Sequence, residues 1–562
     1  MAEDYQTRRR QFRWRRPERF NFVRDVLYET AAARPDASAL HWVSGTGAED
    51  IVGFRALCER ANRAAAFLTA LGIKRGDAVL VILSREQAWW DMVLGCLQIG
   101  AVVSPGTTQL MKKDLAFRLQ ATGAAAVVTN GAVAERLDAA IAEAGWTGAR
   151  VLDTGAREGW TAYDDFDGAP LADCANTQAD EGALWYFTSG TTGNPKMTVH
   201  GHGYALGHET TGRFWLRAGP DDLVWNVSDT GWAKAAWSSL FAPWLSGAGI
   251  FALHADAIDP ARMLDALKRY PVTILCAPPT AYRMFIRQEL EGRQFAHLRH
   301  CVSAGEPLNP EVIEIWKAKT GLQICEAYGQ TETPLLCGNF GGMAIKPGSM
   351  GLPAPGVDLH VIDEAGEVLP PDEEGSVALR VDPERPAGLF LEYKDDPERT
   401  AGCFRDGWYL TGDRAAVDED GYFWFVGRAD DVIISSGYRI GPFEVESALI
   451  EHPAVAESAV VASPDETRGE VVKAFIVLAK GHAPSDDLKN DIQAHVKSVT
   501  APYKYPRRIE FVDSLPKTVS GKILRVELRT KEFAETPSPQ PSPPGGEGGA
   551  PQGAEGEGAV EP

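Results

Sequence analysis

Residues 186–196 read YFTSGTTGNPK. An apolar run ending at Phe187 opens into hydroxyls and glycines and is closed by Lys196, the texture of a strand feeding an anion-binding loop. Gly190 and Gly193 free backbone N–H groups to turn toward one anion, while Thr188, Ser189, Thr191 and Thr192 add donors and Lys196 adds charge. It is not the common nucleotide loop, because GK[ST] is absent and Met197 follows the lysine. A Ser/Thr/Gly stretch alone is an ordinary turn, so the surroundings decide its meaning.

From about residue 20 to 430, amphipathic helices alternate with short β-rich runs such as DAVLVIL (77–83), AAVVTN (125–130) and VTILCAPP (272–279). Strands interleaved with helices predict parallel, layered α/β architecture. Between Val357 and Val426 the pattern becomes alternating strands with tight turns, as expected for a small antiparallel barrel or sheet. After GRADD (427–431), helix, strand, strand, helix and strand signals follow in EVESALIEH, AESAVVA, EVVKAFIVLA, SDDLKNDIQAHVKSV and RRIEFVD, enough for a separate α+β unit. The fold class is therefore multidomain α/β. We divide the chain into a basic arm (1–20), a large α/β domain with a β-barrel-like subdomain (21–430) and a small α+β domain (431–535). The Pro/Gly/Glu tail (536–562) cannot repay its ordering entropy and is expected to be disordered.

The 562-residue chain carries a net charge of −21, which opposes binding to nucleic acid and anionic membrane surfaces, so phosphate recognition must be local. Seven arginines between Arg8 and Arg19 run against that balance, but Glu3, Asp4 and Glu18 stand among or beside them and FNFVRDVLYETAAARP follows as an ordinary first helix. Eight scattered cysteines form no CxxC pair, and there is no secretory pattern and no long uncharged apolar run. Those features predict a cytoplasmic protein with reduced thiols and no membrane insertion.

Four further segments accompany the first loop in order: SAGEPLNPE (303–311), EAYGQTET (326–333), YLTGDRA with GYFWFVGRADDVIISSGYRIGPFEVE (409–446), and PKTVSGKILR (516–525). Together they resemble the adenylate-forming superfamily, which includes acyl-CoA and aryl-CoA synthetases, across nearly all of residues 20–530. The spellings WNVSDTGWAKAAWSSLFAPW (225–244) and SSGYRIGPFEVESALIEHP look most like the medium-chain acyl-CoA synthetase branch. The resemblance implies an ATP-dependent acid–thiol ligase that makes an acyl-adenylate and passes the acyl group to coenzyme A, with a carboxylic acid, ATP and CoA as its small-molecule partners.

It also implies roles. Tyr328 offers an aromatic face to adenine, with Gly305, Glu306 and Pro307 as the opposite wall, and Glu326, Ala327, Gly329 and Gln330 complete the nucleotide set. Thr331 donates to the α-phosphate, and Glu332 is a hard oxygen ligand for the Mg2+ of MgATP. Asp413 and Arg428 sit at the ribose hydroxyls. Lys522 stabilises the charge that gathers as pyrophosphate leaves. A rotation about the hinge Asp430 makes the small domain mobile and brings Ser436, Gly437, Tyr438 and Arg439 to a pantetheine tunnel. Arg468, Lys497, Tyr505, Arg507 and Gln109 are assigned to CoA.

Acyl selectivity is expected at Trp232 and Gly329. In acetate-specific relatives a tryptophan precedes QTE, so Gly329 implies room for a longer or aromatic acid, benzoate and short branched acids being the alternatives to a medium chain. Trp225, Trp232, Trp237 and Trp244 are candidates to gate or line the acyl pocket, but Trp237 and Trp244, seven apart, read more simply as one core face of a helix. A catalytically silent paralogue is opposed by the joint presence of Lys196, Glu332, Asp413, Arg428 and Lys522.

Overall fold

In a computed structural model, the structure describes residues 5–535 except 189–194, 256–258, 291–293, 437, 466 and 519–521. The expected tail lies outside the described residues. Two large sheets dominate. One has eight strands, whose parallel core runs from Gly182–Thr188 through Val102–Gly106, Ala78–Ile82 and Ala126–Thr129 to Ala149–Leu152. The other has nine, with a parallel core of Ser38–Val43, Gly249–Leu253, Leu223–Asn226, Ile274–Cys276, His300–Ala304 and Ile324–Gly329. Val79, Leu80, Val81 and Ile82 are all fully buried, as strands covered on both faces must be.

The core between these layers is rich in tryptophan: Trp89, Trp90, Trp215 and Trp244 are almost fully buried. Each indole N–H that needs a partner in such a place is costly to orphan. Trp90 donates to the Ser239 carbonyl (2.8 Å), Trp244 to that of Ala39 (2.9 Å) and Trp215 to that of Cys325 (3.1 Å). The two sheets meet at their carboxyl ends. A Cβ on Gly231, in the loop after Leu223–Asn226, would lie 2.3 Å from the Thr107 nitrogen at the end of Val102–Gly106. Only glycine allows that approach.

The stretch from Leu359 to Arg428 forms a five-stranded antiparallel sheet built on the long strand Trp408–Val417. Beyond it, the helix Pro442–Ile450, strands Val455–Asp465 and Gly469–Leu478, helix Asp486–Val499 and strand Arg508–Phe511 follow in the expected order, with Arg508–Phe511 parallel to Gly469–Leu478. Their core, including Ile433, Val445, Leu449, Val460, Ile476, Ile492 and Val496, is separate from that of the large domain.

The arginine-rich start is folded against the large domain. Tyr5–Gln11 is helical, the Tyr5 hydroxyl donates to the Pro353 carbonyl (2.7 Å), Arg8 to that of Gly341 (3.0 Å) and Trp14 to that of Gly356 (2.8 Å). Among the described residues no helix is long and apolar enough to cross a membrane.

Candidate active site

Loops at the carboxyl ends of both parallel sheets enclose a cavity of about 1040 Å3, closed on one side by the small domain. Strand ends in open α/β sheets are where ligands bind, because the loops there are free to vary while the strands stay fixed. Thr188, Lys196, Gly305, Glu306, Pro307, Glu326 through Glu332, Asp413, Arg428, Lys522, Gln109 and Trp232 all line it. Ser189, Gly190, Thr191, Thr192 and Gly193 lie outside the described residues, so the loop is seen only where Thr188 ends one strand and Lys196 begins the antiparallel return.

One wall is a hydrogen-bonded block around Asp413, which is 5% exposed. Its Oδ2 accepts from the Tyr328 hydroxyl (2.5 Å) and from Gln330 Nε2 (2.7 Å), and its Oδ1 from Arg428 Nη1 (3.1 Å). Burial raises the Asp413 pKa even beside the guanidinium that opposes it. Gln330 is fixed in turn by donating to the Thr411 carbonyl (2.8 Å) and accepting from the Tyr409 hydroxyl (3.0 Å).

Glu326 stands behind Tyr328. Its Oε1 accepts from the Leu308 N–H (2.9 Å), while its buried Oε2 has no side-chain hydrogen-bond partner among the described residues. Burial pushes its pKa up to about 8. Elsewhere on the wall, the Glu332 carboxylate accepts from the Tyr393 hydroxyl (2.6 Å), and the Lys196 ammonium lies 5.1 Å above the same ring. His200 Nε2 donates to the Thr331 carbonyl (2.8 Å). Burial lowers that imidazole to about 3, so it serves as a neutral donor.

Lys522 reaches the cavity from the small domain. Its N–H donates to Thr518 Oγ1 (3.1 Å) and its carbonyl accepts from the Thr518 N–H (2.7 Å). The helix Arg525–Glu535 carries the next anchors. Arg525 forms a forked pair with Glu446 (3.0 and 2.6 Å), and Arg529 donates to Asp431 (3.2 Å) and to the Asp430 carbonyl.

The residues assigned to CoA are elsewhere, Gln109 excepted. Tyr438, half exposed, stacks on Tyr503 at 4.4 Å, and Arg468 donates to Ser436 Oγ (3.2 Å). Lys497 and Arg507 flank the Tyr505 ring at 3.9 and 4.9 Å. Arg439 is exposed and close enough to lower the pKa of Arg414. None of these lines the cavity, and Gly437 lies outside the described residues. Direct side-chain bonds from the small domain to the large one include Arg287 Nη2 to the Ala456 carbonyl (2.8 Å) and Asn309 Nδ2 to Ser447 Oγ (3.3 Å).

Trp237, weighed from the sequence chiefly as core, is also a cavity residue. Its indole packs so closely that a Cβ on Gly329 would lie 2.5 Å from the ring. Trp237 and Trp244 are both buried in one core, as expected, although the chain switches between them from a π-helical turn at Ala236–Leu240 to the α-helix Phe241–Leu245. The space left by Gly329 is thus occupied by tryptophan from the facing helix. Lys234 also lines the cavity. Its signal was a lone charge inside the apolar run GWAKAAW.

Residues 27–383 match the family model "AMP-binding enzyme", and residues 444–522 match "AMP-binding enzyme C-terminal domain". The mitochondrial acyl-coenzyme A synthetase ACSM3 of Mus musculus is 50% identical over 95% of this chain and 94% of its own length. The human protein of that name is 48% identical over 94% of this chain and 92% of its own. The anthranilate CoA ligase AuaEII, solved with anthranoyl-AMP, superimposes with a TM-score of 0.85 at 30% identity, covering 92% of this chain and 98% of that one. A benzoate CoA ligase from Burkholderia xenovorans gives 0.81 at 29% identity, covering 91% of this chain and all of that one. The mitochondrial relatives overturn the cytoplasmic expectation. Scattered thiols and the absence of a secretory pattern do not separate cytosol from organelle. With the five motifs on one cavity and both family models matched in order, the chain belongs to the AMP-binding enzymes, among their acyl-coenzyme A synthetases.

Proposed function

We propose that this acyl-CoA synthetase activates medium-chain fatty acids in two half-reactions at the one cavity. In the first, a carboxylate oxygen attacks the α-phosphorus of ATP, an O–P bond forms, and pyrophosphate leaves with the electron pair. In the second, the CoA thiol attacks the adenylate carbonyl, loses its proton, and AMP leaves.

The observation that carries this reading is that Lys522 shares the chamber with Tyr328, Asp413 and Glu332, while Ser436, Tyr438 and Arg439 lie off it. That arrangement suits the first half-reaction. Adenine stacks on Tyr328 against Gly305, Glu306 and Pro307. Glu326, with a buried oxygen that no side chain partners among the described residues, suits a polar edge of the base. Asp413 and Arg428 hold the ribose, and Thr188, Lys196 and Thr331 hold phosphate oxygens. Lys522 meets the charge developing at the α-phosphate, where a fixed ammonium in a dry site acts strongly. The residues fit Mg2+. Glu332 offers one carboxylate already oriented by Tyr393, and Mg2+ held by phosphates needs only one or two. Mg2+ supplies charge neutralisation on the phosphates. Rotation about Asp430 would then exchange Lys522 for the Ser436–Arg439 hairpin and carry Arg468, Lys497, Tyr505 and Arg507 toward CoA.

The acyl group lies against Trp232 and Trp237, with the Trp237 indole, which fills the space beside Gly329, as its wall. An aryl acid is the second reading, favoured by the fold shared with the anthranilate and benzoate ligases and by an indole wall suited to stacking. AMP release with purified protein, MgATP, CoA and acetate, butyrate, hexanoate, octanoate, benzoate or isobutyrate tests both. A maximum at six to eight carbons is expected, each buried methylene adding about 0.8 kcal/mol. A maximum at benzoate replaces the substrate and keeps the mechanism, and no AMP release with any acid overturns the function.

A further inference from the structure

Lys234 has no place in the scheme above, yet it faces the same chamber. Its ammonium donates to the Ala304 carbonyl at 2.7 Å, and among the described residues no carboxylate forms an ion pair with it. Burial lowers its pKa most, the nearby Lys522 ammonium lowers it further, and Cys276 and the Glu306 carboxylate oppose them. An ammonium held inside a protein beside a second cation, with one neutral hydrogen-bond acceptor and, among the described residues, no carboxylate at ion-pair distance, is a charge only partly compensated. Such a charge facing a cavity is satisfied by an anionic ligand.

The position of Lys234 says which anion. Three residues on, Trp237 packs on Gly329 at the acyl side. Its own hydrogen bond is to Ala304, the last residue before Gly305 on the adenine side. Lys234 therefore stands where the acyl chain ends and the nucleotide begins, and the group that belongs there is the acid's carboxylate. We propose that Lys234 binds the carboxylate of the fatty acid and holds it in line with the α-phosphorus, a substrate contact distinct from that of Lys522. The inference rests on the function proposed above. During attack one carboxylate oxygen bonds to phosphorus and its charge passes to the departing pyrophosphate. The other oxygen becomes the adenylate carbonyl and keeps the Lys234 hydrogen bond.

The experiment compares wild type with Lys234→Met and Lys234→Arg in octanoate-dependent ATP–pyrophosphate exchange, with 1-octanol as a competitive probe that has the chain but no carboxylate. For Lys234→Met the KM for octanoate is expected to rise about tenfold or more, the size of a hydrogen bond to a charged group. The KM for ATP and the inhibition constant of 1-octanol should stay within about twofold, with partial recovery in Lys234→Arg. An unchanged KM for octanoate overturns the proposal, as does an equal loss of octanoate and 1-octanol affinity, which marks a packing role. If Lys234→Met does not fold, Lys234→Gln is read by the same criteria. Absence of acid-dependent exchange in wild type itself refutes the parent function instead, and this contact with it.

Discussion

Asp413 in the large domain is held by Tyr328, Gln330 and Arg428 at once, and Gln330 is itself pinned by Thr411 and Tyr409. Lys522 in the small domain lines the same cavity, its backbone held by the Thr518 hydroxyl and N–H, on a domain that meets the large one through bonds such as Arg287 to Ala456 and Asn309 to Ser447. A buried, fully interlocked wall suits what both half-reactions share, the AMP moiety. A separately packed domain suits groups needed in one step and removed in the next, because it can rotate with its own core intact. Substitutions in the small domain should therefore split the two half-reactions, and substitutions in the fixed wall should move both together.

The largest split is expected from Lys522→Met. Acid-dependent ATP–pyrophosphate exchange should fall about a thousandfold, the scale on which one positioned charge acts in a transition state. Thioester formation from synthetic octanoyl-adenylate and CoA should stay within about threefold. Equal losses in both assays would make Lys522 part of the shared wall and end the distinction.

A smaller and opposite split is expected from Asp430→Pro, whose ring fixes φ near −65° and removes the freedom to pivot. Overall AMP release should drop about a hundredfold, whereas pyrophosphate exchange should change little. An unaffected overall rate would remove Asp430 from the hinge.

How much of this was legible in the sequence depends on whether a residue works through its local string. The two α/β layers, the antiparallel segment after Val357 and the order of elements in the small domain all follow from hydrophobic period and turn residues, which are local. The cavity set around Tyr328, Glu332, Asp413 and Lys522 was found through motifs that keep these residues in fixed strings. The contact of Trp237 with Gly329 was not, because it joins positions 92 apart in the chain. The Tyr393 hydroxyl that orients Glu332 and the His200 ring behind Thr331 come from separate strands and carry no local signal. The docking of the arginine-rich start was hidden for the same reason, since its carbonyl partners at Gly341, Pro353 and Gly356 are over 330 residues away.

The smallest effect tests the fixed wall through pH. Glu326 has a folded-state pKa near 8, raised by burial from an ordinary value of 4.5. A raised folded-state value means that the folded protein keeps a proton the unfolded chain has lost, so this group's stabilisation is complete below about pH 4.5 and disappears as pH rises toward 8. Glu326→Gln retains an acceptor for the Leu308 N–H and has no proton to lose. Its melting temperature should match wild type near pH 5.5 within a degree or two and exceed it by a few degrees near pH 8.5, as linkage gives for roughly 3 kcal/mol. Because Glu326 belongs to the shared wall, pyrophosphate exchange and thioester formation should change by the same factor, within about twofold. A pH-independent difference in melting temperature would show that Glu326 is ionised in the folded state through a partner the wall supplies. Unequal changes in the two half-reactions would show that the wall, too, is rearranged between them.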